Sequence, residues 1–323
     1  MRSVAARRAA ACALLMTYAL AAAAADDPRV WLQRMSQALE LLSYDGTIVR
    51  GTSNTPPQNL RVIHKVEGNQ VTERLIALDG DNREIIRDNG RVKCIFENER
   101  AVHVGQQSSP LRASLPDFTG DLDAYYVFAI GGNARVVNRD TKIIAVRPRD
   151  EYRYGYRLWL DEATAMPLRF EVLGTGDEMV EYLLFSSISL DGEIPDSALE
   201  QETQTAEDYV WIEGAASSVN ASDIKWQASK LPGGFKLSVT NTQQVAENQA
   251  KSEHHVYTDG LASVSVFVEA PTENSAALKG LSTMGAANAF ATTIEGHQVT
   301  VVGEVPPNTV EYIGKAMTRR AAK

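Results

Sequence analysis

Short alternations of apolar and polar residues recur along almost the whole chain, and they write strands far more often than helices. The fullest example is VYTDGLASVSVFVEA, residues 256–270, where Asp259-Gly260 sits between two alternating runs. Such a pair predicts a β-hairpin, because glycine accepts the positive φ that a tight turn demands. Past the turn, Ala262, Val264, Val266 and Val268 fall on one face and Leu261, Ser263, Ser265 and Phe267 on the other. The first face is uniformly apolar and is expected to be core.

The same reading places a strand at 235–239 after the turn in LPGGF, and another at 298–305. A helix follows Pro306-Pro307, with Val310, Ile313 and Met317 on one side, and caps the small sheet. At the other end, Asp27-Pro28 caps and starts a helix whose Trp31, Leu32, Met35, Leu39 and Leu42 make an apolar stripe. Strands are then predicted at 44–50, 60–67, 71–77, 83–88 and 91–97, separated by short Gly, Pro and Asn turns that imply an antiparallel meander. Leu60, Val62, His64 and Val66 face one way and Arg61, Lys65 and Glu67 the other, so one side of this sheet is wet. Residues 106–123 break the pattern and read as a lid or crossover. A second series runs 125–137, 142–149, 154–161, 167–173 and 178–190. The fold class is mostly β (α+β): a large, strongly curved sheet or partial barrel with helices, plus a smaller C-terminal sheet domain capped by a helix.

A chain of 323 residues is expected to form two domains. Arg2, Arg7 and Arg8 precede an apolar run over 9–21 and an Ala-rich site at 23–25, the pattern of a cleaved signal peptide. The divisions are therefore 1–25 signal peptide, 26–190 first domain, 191–225 acidic linker and 226–323 second domain. Loss of three arginines takes the formal charge from -9 to -12. An exported acidic chain without a basic block offers no nucleic-acid footprint. Cys94 is then the one remaining cysteine, which excludes an intramolecular disulfide and suits a packed thiol between Val92 and Phe96. Trp211 and Trp226 flank the second domain and are expected at a domain interface.

Catalytic patterns fail on inspection. LGTGDEM at 173–179 lacks the third glycine and the following helix of a dinucleotide loop, and reads as a hairpin turn. Ser222 and Lys225 fit S-x-x-K without the companion motifs that such serine enzymes need. His254 and His255 point to opposite faces of a strand, and His64, His103 and His297 obey no ligand spacing. Asp79-Gly80-Asp81-Asn82 misplaces the glycine and the terminal glutamate of a calcium loop. No enzyme activity, metal or cofactor is expected. Tyr125, Tyr126, Tyr152, Tyr154 and Tyr156 fit either a contact surface or a core.

LPGGF, YTDGLASVSVFVE and VTVVGEVPPNT with its helix, spread over 226–317, resemble the C-terminal domain of the RseB/MucB family of periplasmic regulators of an envelope-stress sigma factor. The stretch RPRDEYRYGYRLWLDEATAMPLRFEVL resembles the same family through Asp161, Thr164 and Pro167, with Ala165 where relatives tend to carry glycine. More loosely, that motif is similar to the LolA/LolB lipoprotein carriers. The resemblance implies a LolA-like unclosed β-barrel over 26–190 that senses lipid, with Trp31, Met35, Leu60, Val62 and Val66 as pocket candidates. It implies a second domain that binds the periplasmic segment of an RseA/MucA-like single-span anti-sigma factor. Phe235, Tyr257, Asp259, Gly260 and Phe267 are the partner-binding candidates there. The implied action is to shield that segment from proteolysis and to release it when lipid or a mislocalised lipoprotein occupies the barrel. The alternative is a periplasmic lipid carrier of the LolA type. Homo-oligomerisation is left open.

Overall fold

A computed structural model describes residues 27–320 except 54, 81, 107–109, 114, 119, 191, 204, 206, 207, 214–223, 244–251 and 271–278. Helix α1 (Pro28–Leu41) begins as expected: the Asp27 carboxylate accepts the Arg29 N–H at 2.8 Å, and Pro28 stands at its first position. Trp31, Leu32, Met35, Ala38 and Leu39 form its buried face.

Around it wraps a twelve-stranded sheet. Its first meander is β1 (Tyr44–Thr52), β2 (Gln58–Glu67), β3 (Gln70–Ala77), β4 (Arg83–Asp88), β5 (Arg91–Phe96) and β6 (Ala101–Gln106). A short helix, α2 (Pro110–Ala113), opens the crossover. The second meander is β7 (Tyr126–Val136), β8 (Arg139–Pro148), β9 (Gly155–Asp161), β10 (Pro167–Leu173) and β11 (Met179–Ser189). β11 pairs with β1 and joins the two meanders, while β7 and the opposite edge strand do not pair with each other, so the barrel is unclosed. Leu111, Leu115, Phe118 and Leu122 of the crossover join α1 and the strands in one core. Through these four side chains the crossover is packed into the interior.

The turn at Asp161 explains how this sequence closes β9 on β10. Its carboxylate accepts from the Thr164 N–H at 3.0 Å and hydroxyl at 2.7 Å, and is paired with Arg139 at 2.8 Å. This holds Ala165 at φ 63°, a left-handed conformation that normally selects glycine. At 174–178 the chain makes the expected hairpin turn, closed by Gly174 N–H to the Glu178 carbonyl at 2.8 Å.

Where it is described, the acidic connection lies against the first domain. The guanidinium of buried Arg74 reaches Glu84 at 2.7 Å, Glu202 at 2.8 Å and the Ala198 carbonyl at 3.1 Å. Lys65 meets Asp196 at 2.6 Å, and Arg100 pairs with Asp208. A strand, β12 (Val210–Glu213), then adds in parallel to β6 at the sheet edge. The acids that made this stretch look like a linker are the groups that fasten it.

The second domain starts with β13 (Trp226–Ala228) and continues with β14 (Lys236–Gln243), β15 (Ser252–Thr258), β16 (Ser263–Glu269), β17 (Gly280–Met284), β18 (Ala287–Ile294) and β19 (His297–Gly303). Helix α3 (Pro307–Ala316) and β20 (Met317–Arg319) complete it. Six antiparallel strands in the order β14-β15-β16-β19-β18-β17 carry α3 on one face. Val264, Val266, Val268, Val299, Val301, Val310 and Ile313 meet there, so the core face is the one the alternation indicated. Trp226 belongs to this core and Trp211 is exposed on β12 beside Lys93, so neither tryptophan forms the domain interface. Cys94 is half-buried on β5, where burial raises its thiol pKa.

Candidate ligand cavity and domain joint

The interior is not filled by α1 and the crossover. A cavity of about 1170 Å³ remains, walled by Leu39, His64, Val66, Val71, Tyr154, Tyr156, Phe170 and Val172 of the first domain. The second domain contributes Leu261, Ala262, Ser263, Ala286 and Glu304 to the same wall. Its polar side includes Arg50, paired with Glu181 at 2.6 Å. Glu304 lines the cavity and keeps accessible surface. Desolvation, with Glu181 as a like charge, raises its pKa against the opposing pull of Arg50. His64 is pushed the other way, chiefly by burial, and so is neutral at pH 7. Its Nδ1–H donates to the Leu42 carbonyl at 2.8 Å, and its ring stacks on Tyr44 at 4.8 Å.

Four of the five pocket candidates lie elsewhere. Trp31, Met35, Leu60 and Val62 are buried in the core that α1 makes with the sheet, and Val66 alone of the five reaches the cavity wall. The physical reason is that α1 covers its own stripe. The open volume lies beyond its C-terminal end, between aromatic residues of β9 and β10 and the turn after β15.

That turn differs from a two-residue hairpin. The last paired residues are Thr258 and Ser263, leaving Asp259–Gly260–Leu261–Ala262 as a four-residue loop with Gly260 at φ 100°. Asp259 Oδ1 accepts the N–H groups of Leu261 at 2.9 Å and Ala262 at 2.8 Å. Its other oxygen receives Arg153 Nε at 2.5 Å and the Tyr126 hydroxyl at 3.3 Å. Arg153, fully buried between β8 and β9, also bonds Asp150 and the Gly233 carbonyl of LPGGF. Its guanidinium lies 4.6 Å from the Tyr125 ring and 5.0 Å from Phe235. Burial works against that charge, and pairing with Asp259 and Asp150 outweighs it. Asn288 to the Tyr154 hydroxyl at 2.9 Å and Thr309 to the Tyr152 carbonyl at 2.8 Å complete the crossing contacts.

Of the partner-binding candidates, Asp259 and Phe235 are spent inside this joint and Tyr257 is in the second core. Gly260 is exposed at the loop tip, and Phe267 is half-buried on the opposite sheet face, stacked on His254 at 4.4 Å. Sequence reasoning did not single out Arg153. Its one signal is a lone arginine inside the tyrosine-rich run DEYRYGY. Among the described residues no group of three or more His, Cys, Asp or Glu side chains could hold a metal ion. His255 is buried beside Glu253 at 3.3 Å, on the face opposite His254. Ser222 and Asp81 lie outside the described residues.

An unclosed sheet, a second sheet docked against it and a composite half-polar cavity define a two-domain binding protein. The chain belongs to the MucB/RseB family, matching the MucB/RseB N-terminal domain over residues 27–203 and the C-terminal domain over 220–318. It is 29% identical to the sigma factor AlgU regulatory protein MucB of Pseudomonas aeruginosa, over 94% of this chain and 95% of that one. To the sigma-E factor regulatory protein RseB of Haemophilus influenzae it is 26% identical, over 87% of this chain and 88% of the relative. The solved complex of Pseudomonas aeruginosa MucA and MucB superposes with a TM-score of 0.71 at 28% identity, covering 92% of this chain and 100% of that one.

Proposed function

We propose that this protein is a periplasmic regulator of an envelope-stress sigma factor. It binds the periplasmic segment of a MucA-like anti-sigma factor and shields it from regulated proteolysis. It lets go when an acyl chain of a lipid or mislocalised lipoprotein enters the cavity. The supporting observation is membership of the MucB/RseB family through both domains, in a fold similar to a MucB solved together with MucA. A cavity with aromatic and aliphatic walls on one side and Arg50, Glu181 and Glu304 on the other suits an amphiphile.

The test is titration of the mature chain with periplasmic segments of single-span anti-sigma factors, followed by protease challenge of the complex. Binding with slowed cleavage, reversed by an acyl ligand, is expected. Acyl binding without any affinity for such segments would instead favour the lipid carrier.

A further inference from the structure

Two residues of the second domain belong to the core of the first. Ala286, 1% exposed, is part of the cluster built by α1 and the curved sheet, and Leu261 packs against that cluster. Gly260, between Asp259 and Leu261, lies against Leu122, where a Cβ would be 3.7 Å from the leucine methyl. The 259–262 loop therefore lies across the mouth of the unclosed barrel, with Gly260 on its outer side and Leu261 and Ala262 forming part of the cavity wall. One carboxylate organises all of this: Asp259 caps the loop with one oxygen and binds Arg153 with the other.

We propose that this loop is an internal plug of the cavity, latched by Arg153 and Asp259, and that a ligand filling the cavity expels the plug and frees the second domain to turn. The inference rests on the acyl-ligand reading above. A chain entering the cavity competes with Leu261 for the same apolar wall, because both must cover it to leave water. The latch has no stable half-way state: Arg153 and the Asp259 carboxylate are both fully buried, and separating them without hydration would strand two charges. Seated or open are the two arrangements, which is the bistability a switch requires. Tyr154 and Tyr156, following Arg153, line the same cavity, so occupancy touches the latch from both sides.

Spin labels at Leu78→Cys in the first domain and Leu281→Cys in the second, both exposed positions, report the domain arrangement in the mature Cys94→Ser chain. cis-Parinaric acid, a fluorescent acyl probe, reports binding in the same sample. A single label distance is expected without probe and a second, longer population with saturating probe. Arg153→Met combined with Asp259→Asn, which keeps the acceptor for the loop, should show the longer population without probe and bind it roughly 5–150-fold more tightly. Leu261→Ser leaves the ion pair intact and should also tighten probe binding, while keeping the short distance until probe is added. Probe bound with labels unmoved overturns the plug and spares the acyl reading. No probe binding by either the parent or the Leu261→Ser chain overturns both.

Discussion

Val266 tests the second domain's architecture most directly, because every step from pattern to energy passes through it. It sits mid-strand in β16, opposite His255 on β15 and Val301 on β19, with no exposed surface. Val266→Ala removes two methyl groups from that core. At about 0.8 kcal/mol per buried methylene the transfer loss is about 1.6 kcal/mol, and the hole left behind brings the cost to about 2–3 kcal/mol. Val266→Asp is harsher, since the one ionisable group opposite it on this face, His255, is fully buried and already engaged by Glu253 at 3.3 Å. An unpaired buried charge costs roughly 4–5 kcal/mol or more, against a total of about 5–15 kcal/mol for a typical domain.

The control is one residue away. Ser265 points to the opposite face, half-buried beside His254, whose Nε2 lies 3.1 Å from the serine oxygen. Ser265→Asp should change stability by less than about 1 kcal/mol. Thermal melting of residues 26–323, followed by circular dichroism, should show Val266→Ala lowering the C-terminal transition by roughly 10–20 °C. Val266→Asp should abolish that transition, with Ser265→Asp near the parent. A parent-like melt of Val266→Asp, or equal damage from the two aspartates, would refute the assignment of faces.

At Ala165, relief of left-handed strain worth about 1–2 kcal/mol is offset by glycine's added chain entropy and one lost buried methyl, so Ala165→Gly should be within about 1 kcal/mol of neutral by urea denaturation. Ala165→Val, β-branched and buried at positive φ, should destabilise clearly. Burial alone would raise the carboxyls of Glu84, Asp161 and Glu253, but hydrogen bonds outweigh it and hold all three below their usual values. Their contribution is present above the usual carboxylate range and disappears as pH falls through the depressed values, so the melting temperature should drop steeply below about pH 4. Glu304, raised, has the opposite sign: its neutral form is favoured at low pH and that advantage is lost as pH rises. Glu304→Gln should therefore raise the melting temperature at pH 7 and leave it unchanged near pH 4.

What the alternation could reveal was the local geometry of each strand. Leu60, Val62 and His64 on one face, or Val264, Val266 and Val268, needed only the two-residue period to be assigned, and the structure buries them. β6 was missed because Ala101 and Val102 are both buried and blur the period, and β12 because its partner is remote. The cavity was harder to see. A buried apolar side chain looks the same in sequence whether it touches another side chain or an empty space, so Trp31 and Met35 were as plausible as Phe170 and Tyr156. Asp259 looked like a turn residue, which it is, but its second oxygen meets an arginine 106 positions away. No local rule reports that pairing.

The composite wall also determines which fragment can bind a ligand. A piece spanning 26–190 would keep α1 and both meanders, yet lose Leu261, Ala262, Ala286 and Glu304 from the cavity wall. It would also lose Glu202, leaving buried Arg74 with Glu84 alone as its carboxylate partner, and would expose Arg153 without Asp259. Arg74 keeps Glu84, and Arg153 exchanges Asp259 for water, so the loss of stability comes mainly from uncovering the apolar core against which Ala286 and Leu261 pack. Such a fragment should melt well below the full chain. If it folds, it should hold cis-parinaric acid in a wider groove, with faster release and a more water-like emission than the composite cavity gives. Equal emission and equal release rates in fragment and full chain would mean that the second domain is not part of the wall, and the joint built on Arg153 would then have no bearing on the cavity.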